Sequence, residues 1–138
     1  MRKVYYTLQK LKDQEKKERH RRFAEAQNVL IDLENGLVSA QETLLKERHS
    51  SQSTIGAHIV SEHLNMQRHM NIQKLEVDIQ KQSEKVERLR EEMKVAQVEC
   101  KVMEKVIEGL EEEEKIEYNR KLDIINDEMA VMGWSRRR

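Results

Sequence analysis

The sequence predicts an all-α fold: a long two-helix antiparallel coiled-coil hairpin whose second helix is the longer. Three observations carry that prediction. The first is an apolar ladder, Ile72, Leu75, Ile79, Gln82, Val86, Leu89, Met93, Ala96, Cys100, Met103, Ile107 and Leu110, whose spacings alternate between three and four. Only Gln82 among them is polar. A repeat of 3.5 residues holds one narrow stripe toward a partner helix. The second is a shorter ladder with the same spacing, Phe23, Ala26, Leu30, Leu33, Leu37, Ala40 and Leu44. The third is the cluster of turn residues between the two, Ser50-Ser51-Gln52-Ser53-Thr54-Ile55-Gly56.

From the N-terminus, Val4, Leu8 and Leu11 begin a stripe one residue out of phase with the Phe23 ladder. Helix one is expected over 4–49. Gly36 follows Asn35, a pair that favours hairpin turns, but Leu33, Leu37 and Ala40 keep phase across it. A helical glycine, costing about 1 kcal/mol relative to alanine, therefore explains this site better than a turn making a three-helix bundle. The reversal is placed at 50–56, where Ser and Thr can cap a new helix and Gly56 relaxes the backbone. Helix two is expected over 57–132, with a basic tail at 133–138. Beyond Leu110 the stripe resumes one residue out of phase, as Tyr118, Leu122, Ile125, Met129 and Met132. Such skips alter supercoiling without ending a helix.

At 1.5 Å per residue the helices measure roughly 70 Å and 115 Å, leaving roughly 40 Å of helix two without a partner. That overhang is expected to begin near Met103. An apolar stripe left in water implies a partner or self-association. A competing arrangement centres the hairpin near Met66, so that the basic stretch 12–22 faces the acidic stretch 111–117. The earlier turn is preferred, because 57–71 holds no helix breaker and keeps Ile59, Met66 and Met70 at helical spacing.

Composition agrees. Of 138 residues 38% are charged, 4% are aromatic and none is proline. High charge with sustained heptads marks long helices rather than disorder, and one domain is the default for this length. The net charge of zero gives no global attraction for nucleic acid or anionic membrane. Lys12 to Arg22 is basic, but Asp13, Glu15 and Glu18 interrupt it and no aromatic lies within it. Glu111–Glu114 reads as a solvated acidic face or a docking strip. A single cysteine, Cys100, excludes an intramolecular disulfide and sits in the seam as a small hydrophobe. No apolar run reaches transmembrane length and the N-terminus lacks a signal-peptide core. A cytoplasmic protein is expected.

No enzyme chemistry emerges. The glycines at 36, 56, 109 and 133 make no phosphate loop. His49, His58, His63 and His69 are spaced nine, five and six apart, unlike the i, i+3 or i, i+4 pairs that share a zinc ion on a helix. No catalytic residue, cofactor or metal is expected. Trp134, ahead of three arginines, is a candidate anchor for a partner pocket.

The order of these segments resembles the FliJ family, the stalk component of the flagellar type III export ATPase complex, with the YscO-type secretion stalks as relatives. The resemblance rests on Leu8-x-x-Leu11-Lys12 with Glu15, Lys16, Lys17 and Glu18, then Arg22-Phe23-Ala24-Glu25-Ala26-Gln27. It continues in Ala96-x-x-Glu99-Cys100-Lys101-x-Met103-Glu104-Lys105 and Asp127-Glu128-Met129-Ala130. It implies a non-enzymatic stalk that binds a hexameric export ATPase, the cytoplasmic domain of the export gate and export chaperones. Membrane association would be peripheral, through that apparatus only. Leu8, Leu11, Leu110, Tyr118, Leu122, Ile125, Met129 and Trp134 would face the ATPase. Leu45, Asn71, Leu75 and Asp78 would face the gate, with Leu75 the leading candidate. The alternative from the residues alone is a homo-oligomeric coiled-coil scaffold or adaptor without an ATPase partner.

Overall fold

Two ladders of unequal length become two helices of unequal length. The structure, a computed structural model, describes residues 2–48 and 55–137. They form α1 (Arg2–Arg48) and a longer α2 (Ile55–Arg137), which pack against each other. No proline interrupts either, and no described residue has positive φ. Good helix formers fill the exposed faces. Pairs at i, i+4 such as Arg21–Glu25 (2.7 Å) and Arg22–Glu18 (3.2 Å) reinforce the first helix.

The chain divides into two units, where the sequence reads as one hairpin. One comprises Lys16–Val95, the other Met1–Glu15 with Ala96–Arg138. In the first, Ala26 and Leu44 of α1 and Ile72 and Val86 of α2 are buried, flanked by half-buried ladder neighbours such as Leu33 and Leu89. Arg19 bonds Glu92 (2.6 Å), Gln82 bonds the Ala26 carbonyl (2.9 Å), and Glu47 pairs with Arg68. In the second, Ala96, Cys100 and Ile107 are buried. There Lys12 meets Glu99 (2.9 Å), Tyr6 meets Glu111, and Arg2 meets Glu114. Within each unit, partners on α2 fall in number as those on α1 rise.

Every rung from Ile72 to Leu110, and every rung from Phe23 to Leu44, is buried or half-buried. Gln82 is the polar exception, and its amide Nε2 donates to the Ala26 carbonyl on the other helix. Among the described residues no large side chain is wholly enclosed. That is the expected thinness where one stripe meets one stripe.

Three expectations change. Val4, Leu8 and Leu11 do not form the seam at the start of α1; Leu11 is 55% exposed. The half-buried positions there include Tyr5, Gln9, Lys12, Lys16 and Arg19, which continue the Phe23 ladder backward without a skip. Polar side chains fill these places because Lys and Arg lay apolar stems along a seam while their charges reach water. Second, the cover of α2 extends past Met103: Ile107 is 7% exposed, and among the described residues the last ion pair between the helices is Arg2–Glu114. Side-chain burial ends at Leu110 and contact with α1 at Glu114, and all residues 111–136 are exposed.

Third, Ile55 and Gly56 belong to α2, as does the expected tail from Gly133 through Arg137; the expected turn at 50–54 lies outside the described residues. As expected, Gly36 is helical, within α1, so no third helix arises there. The pairing of Lys12 with Glu99 and Arg19 with Glu92 also sets aside the arrangement in which 12–22 faces 111–117.

Candidate interaction surfaces

The described side chains offer faces rather than a cleft. No group of three His, Cys, Asp or Glu among them is placed to hold a metal ion, and no helix is long and apolar enough to cross a membrane. His58 pairs with Glu62 (3.1 Å) and His63 with Gln67 (3.4 Å), each within its own helix. His49 lies outside the described residues.

The basic stretch is largely engaged. Lys12, Arg19, Arg21 and Arg22 are held in ion pairs, the first two across to α2. The hydrogen bond to Glu99 raises the Lys12 ammonium above its ordinary pKa, and that from Arg21 holds the Glu18 carboxyl below its own. Arg90 lies over the Phe23 ring at 5.6 Å, capping the first large apolar rung of α1 with a cation–π contact worth about 0.5–1 kcal/mol. Two of the charges that give this stretch its basic look, Lys12 and Arg19, fasten helix to helix, while Arg21 and Arg22 brace α1 itself.

A run of apolar side chains is exposed at the end of α2. Tyr118, Leu122, Ile125, Met129, Met132 and Trp134 are all exposed. On a helix of 3.6 residues per turn, the first five fall on the face that carries Met103, Ile107 and Leu110 earlier in α2. The phase skip after Leu110 thus keeps the stripe on one face once no partner winds the helix to a 3.5-residue repeat. A groove of about 460 Å³ runs along Glu113, Ile116, Glu117, Arg120, Lys121 and Ile124. All its lining comes from one helix, so it has a single wall and is open along its length.

The residues singled out by sequence separate into groups. Tyr118, Leu122, Ile125, Met129 and Trp134 share the free end, whereas Leu110 is half-buried at its root. Leu8 and Leu11 are exposed but stand beside the Tyr6–Glu111 and Lys12–Glu99 contacts. They are not brought to the 118–134 stretch, which starts beyond the last pair. Of the gate candidates, Leu45 and Asn71 are exposed while Leu75 and Asp78 are half-buried. Leu75 is a rung of the seam, so its first role is packing.

Two exposed apolar rows were not anticipated. Ile31, Val38 and Leu45 recur every seven residues on α1, and Val98, Val102 and Val106 every four on α2. Their spacing was present in the sequence but was overshadowed by the stronger ladders. No family model, curated protein or solved structure matches the chain.

Proposed function

We propose that the chain is an antiparallel coiled-coil hairpin serving as the non-enzymatic stalk of a flagellar-type protein export apparatus. In this reading the end of α2, from Leu110 to Trp134, binds the hexameric export ATPase and promotes its assembly or activity. The opposite region, about 41–78, contacts the export gate, and export chaperones dock along the helices. The protein would be cytoplasmic and peripheral at the inner face of the membrane. One observation carries the reading: residues 111–136 are all exposed yet bear a regularly spaced apolar stripe, the pattern of a helix made to enter a partner. The order of sequence segments supplies the nature of that partner.

The test is a turnover assay of the export ATPase with and without this protein. Deleting 122–138 is expected to abolish stimulation while the remaining helices keep their circular dichroism. Stimulation that survives the deletion would sink the assignment of this end to the ATPase.

A further inference from the structure

The free stretch of α2 is not only apolar; its charge pattern is its own complement. We propose that residues 115–132 pair with the same residues of a second copy, as an antiparallel two-stranded coiled coil. This goes beyond the stalk reading and does not rest on it.

Arg2, at the start of α1, is paired with Glu114, so the free seam opens at Lys115. Its rungs are Tyr118, Leu122, Ile125, Met129 and Met132, exposed throughout. In an antiparallel coiled coil each a position layers against a d position of the partner. Leu122 then meets Ile125 of the other copy, and Tyr118 meets Met129. By two-fold symmetry each layer occurs twice.

The flanking residues follow from that register without further choice. Lys121 of each copy faces Glu128 of the other, and Asn119 faces Asn126, again twice each. Lys115 to Met132 matches itself end to end, and Gly133 follows at the point where the incoming helix reaches the start of α1. The Arg136 end of one copy then comes beside the Glu111–Glu114 run of the other. Lys121 is presently bonded only loosely within its own helix, 3.7 Å from Glu117, with both side chains mostly exposed.

A parallel pair has none of this. It places Lys121 beside Asn126 and sets the two acidic runs against each other, which is repulsive. The antiparallel pair is therefore the arrangement that the charges select. Because only about five turns are paired, the association is weak and concentration-dependent. The dimer would occupy the face otherwise available to another partner.

Sedimentation equilibrium of the full chain, without any other protein, tests the proposal. A reversible monomer–dimer equilibrium is expected. Lys121→Glu turns two attractions into two repulsions and is expected to weaken the dimer roughly tenfold; Glu128→Lys does the same. Lys121→Glu combined with Glu128→Lys in one chain restores it. An equimolar mixture of the two single variants also restores it, as a heterodimer, because opposite charges again meet across the seam. Circular dichroism is expected to stay constant, since both side chains are on the surface. A wild-type chain that is monomeric at every concentration overturns the proposal. So does a dimer indifferent to the single variants, or one that the combined variant fails to rescue. None of these outcomes bears on stimulation of an ATPase, which is read separately.

Discussion

Replacing Ile107 and Ile125 by alanine, one at a time, separates the seam from the free face with identical chemistry. Ile107 is 7% exposed and Ile125 49% exposed. Truncating isoleucine to alanine removes about three apolar carbons, worth roughly 0.8 kcal/mol each when buried, or about 2.4 kcal/mol. The residual exposure of Ile107 lowers this slightly, and the better helix propensity of alanine returns a few tenths of a kcal/mol. The cavity contribution is small because a seam between two helices can close inward. Ile107→Ala is thus expected to cost about 2 kcal/mol, at the low end for core truncations. Ile125 packs against nothing across a helix pair, so Ile125→Ala is expected to stay within about 0.5 kcal/mol of zero. Urea unfolding followed by circular dichroism, at dilute protein where self-association is absent, reads both as midpoint shifts at constant slope. A loss for Ile125→Ala equal to that for Ile107→Ala would show that 111–136 is packed in the isolated chain, and would refute the reasoning.

Gly36 sits inside α1 with open space where a Cβ would go, so Gly36→Ala is expected to stabilise the chain by about 1 kcal/mol; an unchanged or lower urea midpoint would contradict this. A pH dependence follows from Tyr6 and Lys12. The hydrogen bond to Glu111 raises the Tyr6 phenol above its ordinary pKa, and that to Glu99 raises the Lys12 ammonium. A raised folded-state pKa adds stability that is complete below the unfolded value and disappears as pH rises through the folded one. The contacts of α1 with Glu99 and Glu111 are therefore expected to loosen as pH climbs past about 10. Helix content titrated in the alkaline range should fall less steeply for Tyr6→Phe than for wild type, and coincident titrations would count against the Tyr6 contribution.

The ladders were legible because an apolar side chain every 3.5 residues has one economical use, and each rung from Ile72 to Leu110 takes it up. The start of α1 escapes the pattern for the opposite reason. Its seam is held by Tyr5, Gln9, Lys12, Lys16 and Arg19, whose apolar stems carry little weight in a hydrophobicity pattern. Val4, Leu8 and Leu11 carry more and are exposed. The extent of cover was misplaced as well. Composition marks where a chain reverses only to within a turn or two, and the expected start of the overhang moved from Met103 to beyond Leu110. The candidate surface was half legible: the stripe from Tyr118 to Met132 stood out, but its separation from Leu8 and Leu11 depends on register. That register is fixed by individual contacts such as Lys12–Glu99 and Tyr6–Glu111, which no periodicity reveals.

Cys100 gives the molecule an internal gauge. The residue is 3% exposed and its Sγ donates to the Lys12 carbonyl at 3.2 Å, so a thiol reagent reaches it only when the first turns of α1 lift away. It is the chain's sole cysteine, and the labelling rate therefore reports one event at one place. The ratio of that rate to the rate in denaturant measures the free energy of local opening directly. Any ligand that tightens or loosens this end of the helix pair would register as a change in the reactivity of a single sulfur atom, with no label added to the protein beforehand.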